Sequence, residues 1–329
     1  MTKRDRVVLA RILKVHDKAR FRMERAEVTW AAELEKAFGG YVNDRDSVIS
    51  RTLDRLVLTP EGGIAEGAQN EALVAEMAAE LEAAAGTMFD AGGVFDNSLT
   101  GASKVAERIG IRRFRDVLAS ADRPLDPKEL KLTRAARKRI NAALDTTRSE
   151  YYQGNLLNLD RFRVTFLRHI NDPTSTREGL RTTLTRSTGY GDALQPILDT
   201  AGRRITLSEQ ADRIAKYEFP RITRNVEEQG IADRYYGGEP PPLDQQFRLW
   251  SAVGDARTQP EHLARHGHVL SIAEWNTRNW GDGRYGLPPL RPRCRCDAIF
   301  VEPDWFSKDV RDEVFTNSPD VALLEKPED

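Results

Sequence analysis

Apolar residues recur every three or four positions from the start of the chain, at Val8, Ile12, Val15, Ala19, Met23, Ala26, Trp30, Leu34 and Phe38. Charged residues fill most of the positions between them. This spacing predicts one helix over residues 5–38 with a narrow apolar stripe, which must pack on its own chain or on a partner. Gly39-Gly40 is expected to stop it, because glycine readily takes the left-handed conformation of a helix C-terminus. Glu66 to Met88 is rich in Ala and Glu, with Leu73, Met77, Leu81 and Met88 nearly in phase, and predicts a second helix. Asp90 to Ser98 reads as a loop and Lys104 to Leu118 as a third helical piece. Asp126-Pro127 is a helix start, an acidic cap followed by a proline at the first position, for a helix running to about Ser149. Further helices are expected over Leu156 to Ile170, ended by Asn171-Asp172-Pro173, and over Ser175 to Arg186. Ser187 to Gly191 reads as loop. Ser208 to about Gly230 is long and helical, with Ala211, Ile214, Phe219, Ile222 and Val226 inward. Pro220 is expected to kink or break it.

The pattern changes after Tyr235. Gly237-Gly238 and the three prolines Pro240 to Pro242 predict a boundary. Phe247-Arg248-Leu249-Trp250 alternates apolar and polar, as a half-buried strand does, and a second short strand is expected at Cys296–Val301. The fold class read from this is mainly α, with long helices in the N-terminal two-thirds and a small α+β domain at the C-terminal end. The division expected is a helical region over 1–125, a helical region over 126–235 and a compact α+β core over 236–305. An acidic tail follows over 306–329.

Composition narrows the function classes. The 329 residues include 50 Lys and Arg against 51 Asp and Glu, so the chain as a whole is not a strongly basic nucleic-acid binder. Charge is nevertheless segregated. Residues 61–98 hold no Lys or Arg, Lys104 to Arg148 is basic, and Glu302 to Asp329 is acidic. Such blocks are solvated helix faces or interaction surfaces. Neither a membrane-spanning apolar run nor a charged-then-apolar leader at Met1 is read in the sequence. Two cysteines make no disulfide framework, so synthesis in a reducing cytoplasm is expected.

Rare residues concentrate between Phe247 and Glu302, where both cysteines, three of the five histidines and three of the five tryptophans fall. Thr258-Gln259-Pro260-Glu261 fits a capping box, which would place His262 and His266 on one face of a two-turn helix. Cys294 and Cys296, if on a strand, point one way, with Arg293, Arg295 and Asp297 the other. His262, His266, Cys294 and Cys296 together are a set that tetrahedral zinc could use. Cys-x-Cys is not the usual spacing, and the competing reading is a small buried cluster with the cysteines as compact apolar residues. A Cys294–Cys296 disulfide is poorer still, since neighbouring same-face strand positions have parallel Cβ vectors. Asp255 and Arg257 fit an ion pair that pins a loop. Trp275, Trp280 and Tyr285 could stack on bases but equally fill the core of a small domain. No phosphate loop, dinucleotide fingerprint, nucleophile elbow or His-Glu-x-x-His is present, so the sequence gives no positive sign of an enzyme.

The succession Trp250, Gly254-Asp255-x-Arg257-Thr258, Pro260-x-His262, Gly267-x-Val269, Pro288-Pro289 and Cys294-Arg295-Cys296 resembles the Mu F-like head-morphogenesis domain of tailed bacteriophages. Upstream, Arg213-Ile214-Ala215-Lys216-Tyr217-Glu218 is similar to that family's Ile-Ala-Arg-Thr-Glu segment, with Lys216 and Tyr217 departing from it. The resemblance covers about residues 195–302. It implies a minor head protein of the virion, associated with the portal protein and with capsid and scaffold proteins on the head interior. Such a protein assists head assembly and the packaging or ejection of double-stranded DNA. Carried over, the domain-defining positions are Trp250, Asp255, Arg257, His262, Gly267, Cys294 and Cys296, none with a catalytic role, and no cofactor is implied.

Three rivals remain from the residues. One is a zinc-dependent hydrolase or nuclease built on His262, His266, Cys294 and Cys296. Another is an ADP-ribosyltransferase-like domain in which Arg213 and Glu218 act on NAD. The third is a plain DNA-binding protein using Lys104 to Arg148, whose binding would weaken steeply with salt.

Overall fold

The computed structural model describes residues 1–123, 131–188, 197–198, 204–231, 235–237, 241–252, 258–279, 286–288 and 296–316. The chain is mainly α, with the long helices in the N-terminal part and a small three-stranded sheet near the C-terminus. The helices are α1 (Lys3–Arg55), α2 (Ala68–Phe89), α3 (Val94–Ser120), α4 (Arg134–Ile170), α5 (Arg177–Thr188) and α6 (Leu207–Gly230). A two-residue antiparallel pair, β1 (Ile197–Leu198) and β2 (Arg204–Ile205), precedes α6. The C-terminal elements are β3 (Phe247–Ser251), α7 (Pro260–Ala264), β4 (Val269–Ser271), α8 (Ile272–Thr277) and β5 (Asp297–Val301). Among the described residues no helix is long and apolar enough to cross a membrane.

Several helices run further than the sequence predicts. α1 passes straight through Gly39-Gly40, neither of which has a positive φ. Buried Tyr41, Val42, Ile49 and Leu53 continue the stripe beyond the glycines, and packing of that stripe outweighs the roughly 1 kcal/mol per glycine lost in propensity. α4 likewise joins the two helices expected on either side of Gly154, with Leu159, Phe162 and Phe166 buried beyond it. α6, by contrast, has the extent the sequence predicts, and Pro220 lies inside it beside buried Phe219 and Ile222 without ending it. The loop expected over Asp90–Ser98 is shorter, since α3 begins at Val94. The Asp126-Pro127 start and the loop at Gly189–Gly191 lie outside the described residues.

The chain divides into two compact units that interleave along the sequence. Residues 1–27, 102–141 and 213–329 form the first; residues 28–101 and 142–212 form the second. The boundaries expected at 125, 235 and 305 therefore do not mark these units, and Tyr235–Leu243 lies inside the first. Several long helices contribute one end to each unit, so no single break in composition signals the division.

Among the described residues the second unit is mainly helix, with β1, β2 and two isolated bridges, Leu58–Ile64 and Gly63–Thr176, and a core drawn from Trp30, Leu34, Phe38, Met77, Leu81, Phe95 and Phe166. Phe89 sits among Phe38, Phe95, Tyr41 and Tyr152 with ring centroids 5.6–6.3 Å apart. Trp30 donates its indole N–H to Ser98 Oγ at 2.8 Å, so the buried ring keeps its polar group satisfied. After α1, Asn70 takes the amide of Val57 and donates to the carbonyls of Val57 and Ala65, pinning the turn into α2.

The first unit holds the sheet, ordered β4-β3-β5 and antiparallel throughout. Leu249, Val269, Ile299 and Val301 join Val8 and Ile12 of α1 and Phe114 and Leu118 of α3 in one cluster. Trp250, Leu270, Trp275 and Cys296 form another. β3 is therefore not half-buried with a polar face, as the alternation suggested. Arg248 is 2 % exposed, its guanidinium lying 5.2 Å from the Phe300 ring centroid and donating to the Phe247 carbonyl. α3 and α6 approach closely at Gly110, where a Cβ would meet the Thr223 carbonyl oxygen at 3.1 Å and Glu227 Cγ at 3.2 Å. Asp5, at the start of α1, accepts from the Ser307 amide and hydroxyl at 2.8 and 2.7 Å, tying the two ends of this unit together.

Candidate functional site

β3 supplies Trp250, and three short elements close around it. Trp250 donates its amide to the His268 carbonyl at 2.9 Å, and its own carbonyl accepts from the Gly267 amide at 2.9 Å. Gly267 has φ +81°, a left-handed conformation open to glycine at little cost, and the turn it makes carries the chain from α7 into β4. β4 was not expected from the sequence, because Val269-Leu270-Ser271 is too short to show a period.

α7 is a single turn. Its N-cap is Gln259 rather than Thr258, with Pro260 in the first turn, where its missing N–H is no loss. The Gln259 carbonyl accepts from the amides of His262 and Leu263. The capping box instead forms one helix later, where Ser271 and Glu274 exchange both bonds at the start of α8. Because the helix ends at Ala264, His262 and His266 do not share a face. His262 Nδ1 lies 3.2 Å from Cys296 Sγ, with both residues buried. His266 Nδ1 accepts from the Ala252 amide at 3.0 Å, which requires that nitrogen to be unprotonated. Burial and then neighbouring His268 push the His266 pKa down.

Around these lies an aromatic cage. The rings of Trp250 and His262 meet edge-on at 6.1 Å, and those of Trp250 and Trp275 lie 5.1 Å apart. Arg265, 1 % exposed, stacks its guanidinium 5.3 Å from the Trp250 ring centroid. Trp275 donates its indole N–H to the Arg248 carbonyl at 3.1 Å, which locks α8 onto β3. The structure thus brings Trp250, His262, Gly267 and Cys296 together. Asp255, Arg257, Cys294, Trp280 and Tyr285 lie outside the described residues. Among the described residues no group of three or more His, Cys, Asp or Glu is placed to hold a metal ion. Glu218 on α6 is 2 % exposed and lies 3.3 Å from Arg221.

A second constellation of the first unit was not singled out from the sequence. Arg113 of α3 donates to the carboxylates of both Glu227 on α6 and Asp297 at the head of β5. His16 of α1 is 1 % exposed, its Nδ1 3.6 Å from Asp297 Oδ2. One guanidinium shared by two carboxylates leaves a surplus negative charge in a dry site. Burial pushes Glu227 up to about 7, against the pull of Arg113. Burial alone would also raise Asp297, but the Arg113 and His16 neighbours hold it low. Burial brings His16 down to about 4. These four residues come from chain positions up to 281 apart with no local motif, so only the adjacency of Asp297 to the Cys-Arg-Cys segment hinted at one of them.

Compared with known protein families, curated proteins and solved structures, the chain finds no match in any of the three.

Proposed function

We propose that the chain is a minor head protein of a tailed phage, a structural component of the head interior and portal vertex that assists assembly and DNA packaging or ejection. The observation that carries this reading is the resemblance of the Trp250-to-Cys296 segment to the Mu F-like domain. It is supported by the way the described motif positions are used. Trp250, His262 and Cys296 pack in one buried cluster, and Gly267 serves a turn with positive φ. Residues employed in this way define a compact interaction module. They are spent on packing and turn geometry, with His262 and Cys296 turned toward each other inside the fold. In the proposed mechanism the long helices dock on the portal ring or the inner face of the capsid, and the compact unit sits near the DNA exit. Affinity capture of the tagged full chain from induced or infected bacterial cells is expected to recover the portal protein. Recovery of host proteins alone would refute the assignment.

A further inference from the structure

We propose that the outward face of α3, with the adjoining first turns of α4, binds the phosphodiester backbone of duplex DNA. The face carries a shallow cavity of about 500 Å³ lined by Glu107, Arg108, Ile111, Arg112 and Arg115. Its one carboxylate is already engaged, because Glu107 accepts two bonds from Arg137 of α4 at 2.8 and 3.1 Å. That pair also sets the first turns of α4 beside α3. Arg115 and Arg112 share Asp116, at 2.8 and 3.8 Å. Arg108 donates to the Lys104 carbonyl at 3.4 Å, a neutral acceptor, and no ion pair to it is seen among the described residues.

The cations are spaced for a line of charge. Lys104, Arg108 and Arg112 follow at four-residue intervals, about 6 Å apart along the axis, and Arg134 and Lys138 repeat that interval on α4. All five are exposed. A duplex presents one negative charge about every 1.7 Å of its axis, and neutralising it releases counterions. A row of guanidinium and ammonium groups spaced in this way can engage several phosphates at once, whereas a single small anion would use one position of it. Arginine forks also suit phosphate oxygens bidentately. Contacts from such a row of cations go to phosphate and not to base edges, so binding is expected to be independent of base sequence. The assignment rests on this face alone and not on the head-protein reading. A failed portal capture and a failed DNA titration are separate results.

The test is fluorescence anisotropy of a labelled mixed-sequence duplex with the full-length protein over a series of salt concentrations. Wild type is expected to bind, with log affinity falling linearly against log salt. The double variant Arg108→Glu/Arg112→Glu is expected to lose about tenfold or more in affinity and to flatten the salt slope by about two. Reversal of two exposed lysines of α1, Lys18→Glu/Lys36→Glu, makes the same charge change elsewhere and is expected to stay within about twofold of wild type. Circular dichroism of both variants checks that they remain folded. Three results would overturn the proposal: no binding by wild type at low salt, equal losses in the two variants, or complete displacement of the duplex by inorganic phosphate at constant ionic strength. The last would mark a small-anion pocket instead.

Discussion

Arg113 on α3 and Asp297 at the head of β5 form a buried ion pair across 184 positions of chain. The same guanidinium holds Glu227, so a helix of the bundle, a second helix and the first residue of the sheet's edge strand meet at one side chain. The pair lies next in sequence to Cys296, one residue from the cluster that carries the motif.

Removing the shared cation leaves two carboxylates buried without compensation. Arg113→Met is expected to destabilise the protein by about 3–5 kcal/mol in urea unfolding, and Arg113→Lys to recover only part of it, because an ammonium cannot reproduce the planar fork. A loss no greater than that of an exposed arginine would contradict this account of the site.

The two shifted groups beside this pair oppose each other in pH. His16 titrates near 4 when folded against about 6.5 unfolded, so its contribution is present above about 6.5 and is lost as pH falls toward 4. Glu227 titrates near 7 when folded against about 4.5 unfolded, so its contribution is present below about 4.5 and is lost as pH rises through 7. His16→Gln is therefore expected to leave stability that declines from pH 5 to pH 7. Glu227→Gln is expected to leave stability that climbs over the same range. Each trend should be on the order of 2 kcal/mol by chemical denaturation. Parallel trends in the two variants would show that the pair does not divide its protons this way.

Asp5 supplies an acid-side prediction. Burial alone would raise it, but hydrogen bonds from Thr2 and Ser307 hold it down at about 2. Its stabilisation is full above the unfolded carboxylate value of about 3.9 and disappears as pH falls toward 2. Asp5→Asn should lower stability at pH 7 and show a smaller loss on acidification than wild type. Matching acid transitions in the two proteins would remove Asp5 from the account.

The motif cluster makes a prediction that separates packing from chemistry. Trp250→Ala is expected to cost about 3–5 kcal/mol, as cavity-forming aromatic truncations do. Gly267→Ala is expected to cost about 1–2 kcal/mol through its positive φ. If His262 and Cys296 serve packing, Cys296→Ala should leave the thermal midpoint insensitive to chelator, as in wild type. Stoichiometric zinc in purified wild-type protein, lost in this variant, would favour the rival metal site.

How far the sequence could be read follows from what each feature depends on. The stripe from Val8 to Phe38 announced α1, since a 3.6-residue period is a local property, and the rare-residue segment marked where β3 and its buried aromatic cluster lie. The continuation of α1 past Gly39-Gly40 and the fusion of α4 across Gly154 were not legible. Each turns on side chains packed from distant positions, which outweigh a local preference of a kcal/mol or so.

In the candidate site the same division holds. Residue order alone brought forward Trp250, His262, Gly267 and Cys296. That His262 faces Cys296 while His266 turns to the Ala252 amide was decided by α7 ending after one turn and by the backbone pairing of Trp250 with Gly267 and His268. Arg113, Glu227, Asp297 and His16 carry no mark in the sequence, because a buried ion pair is specified by the meeting of elements and not by any spacing along the chain. Periodicity and composition determined which segments are helical and where the unusual chemistry lies. Only the folded chain decided which charges were taken out of water together, since desolvation is a property of the whole packed environment.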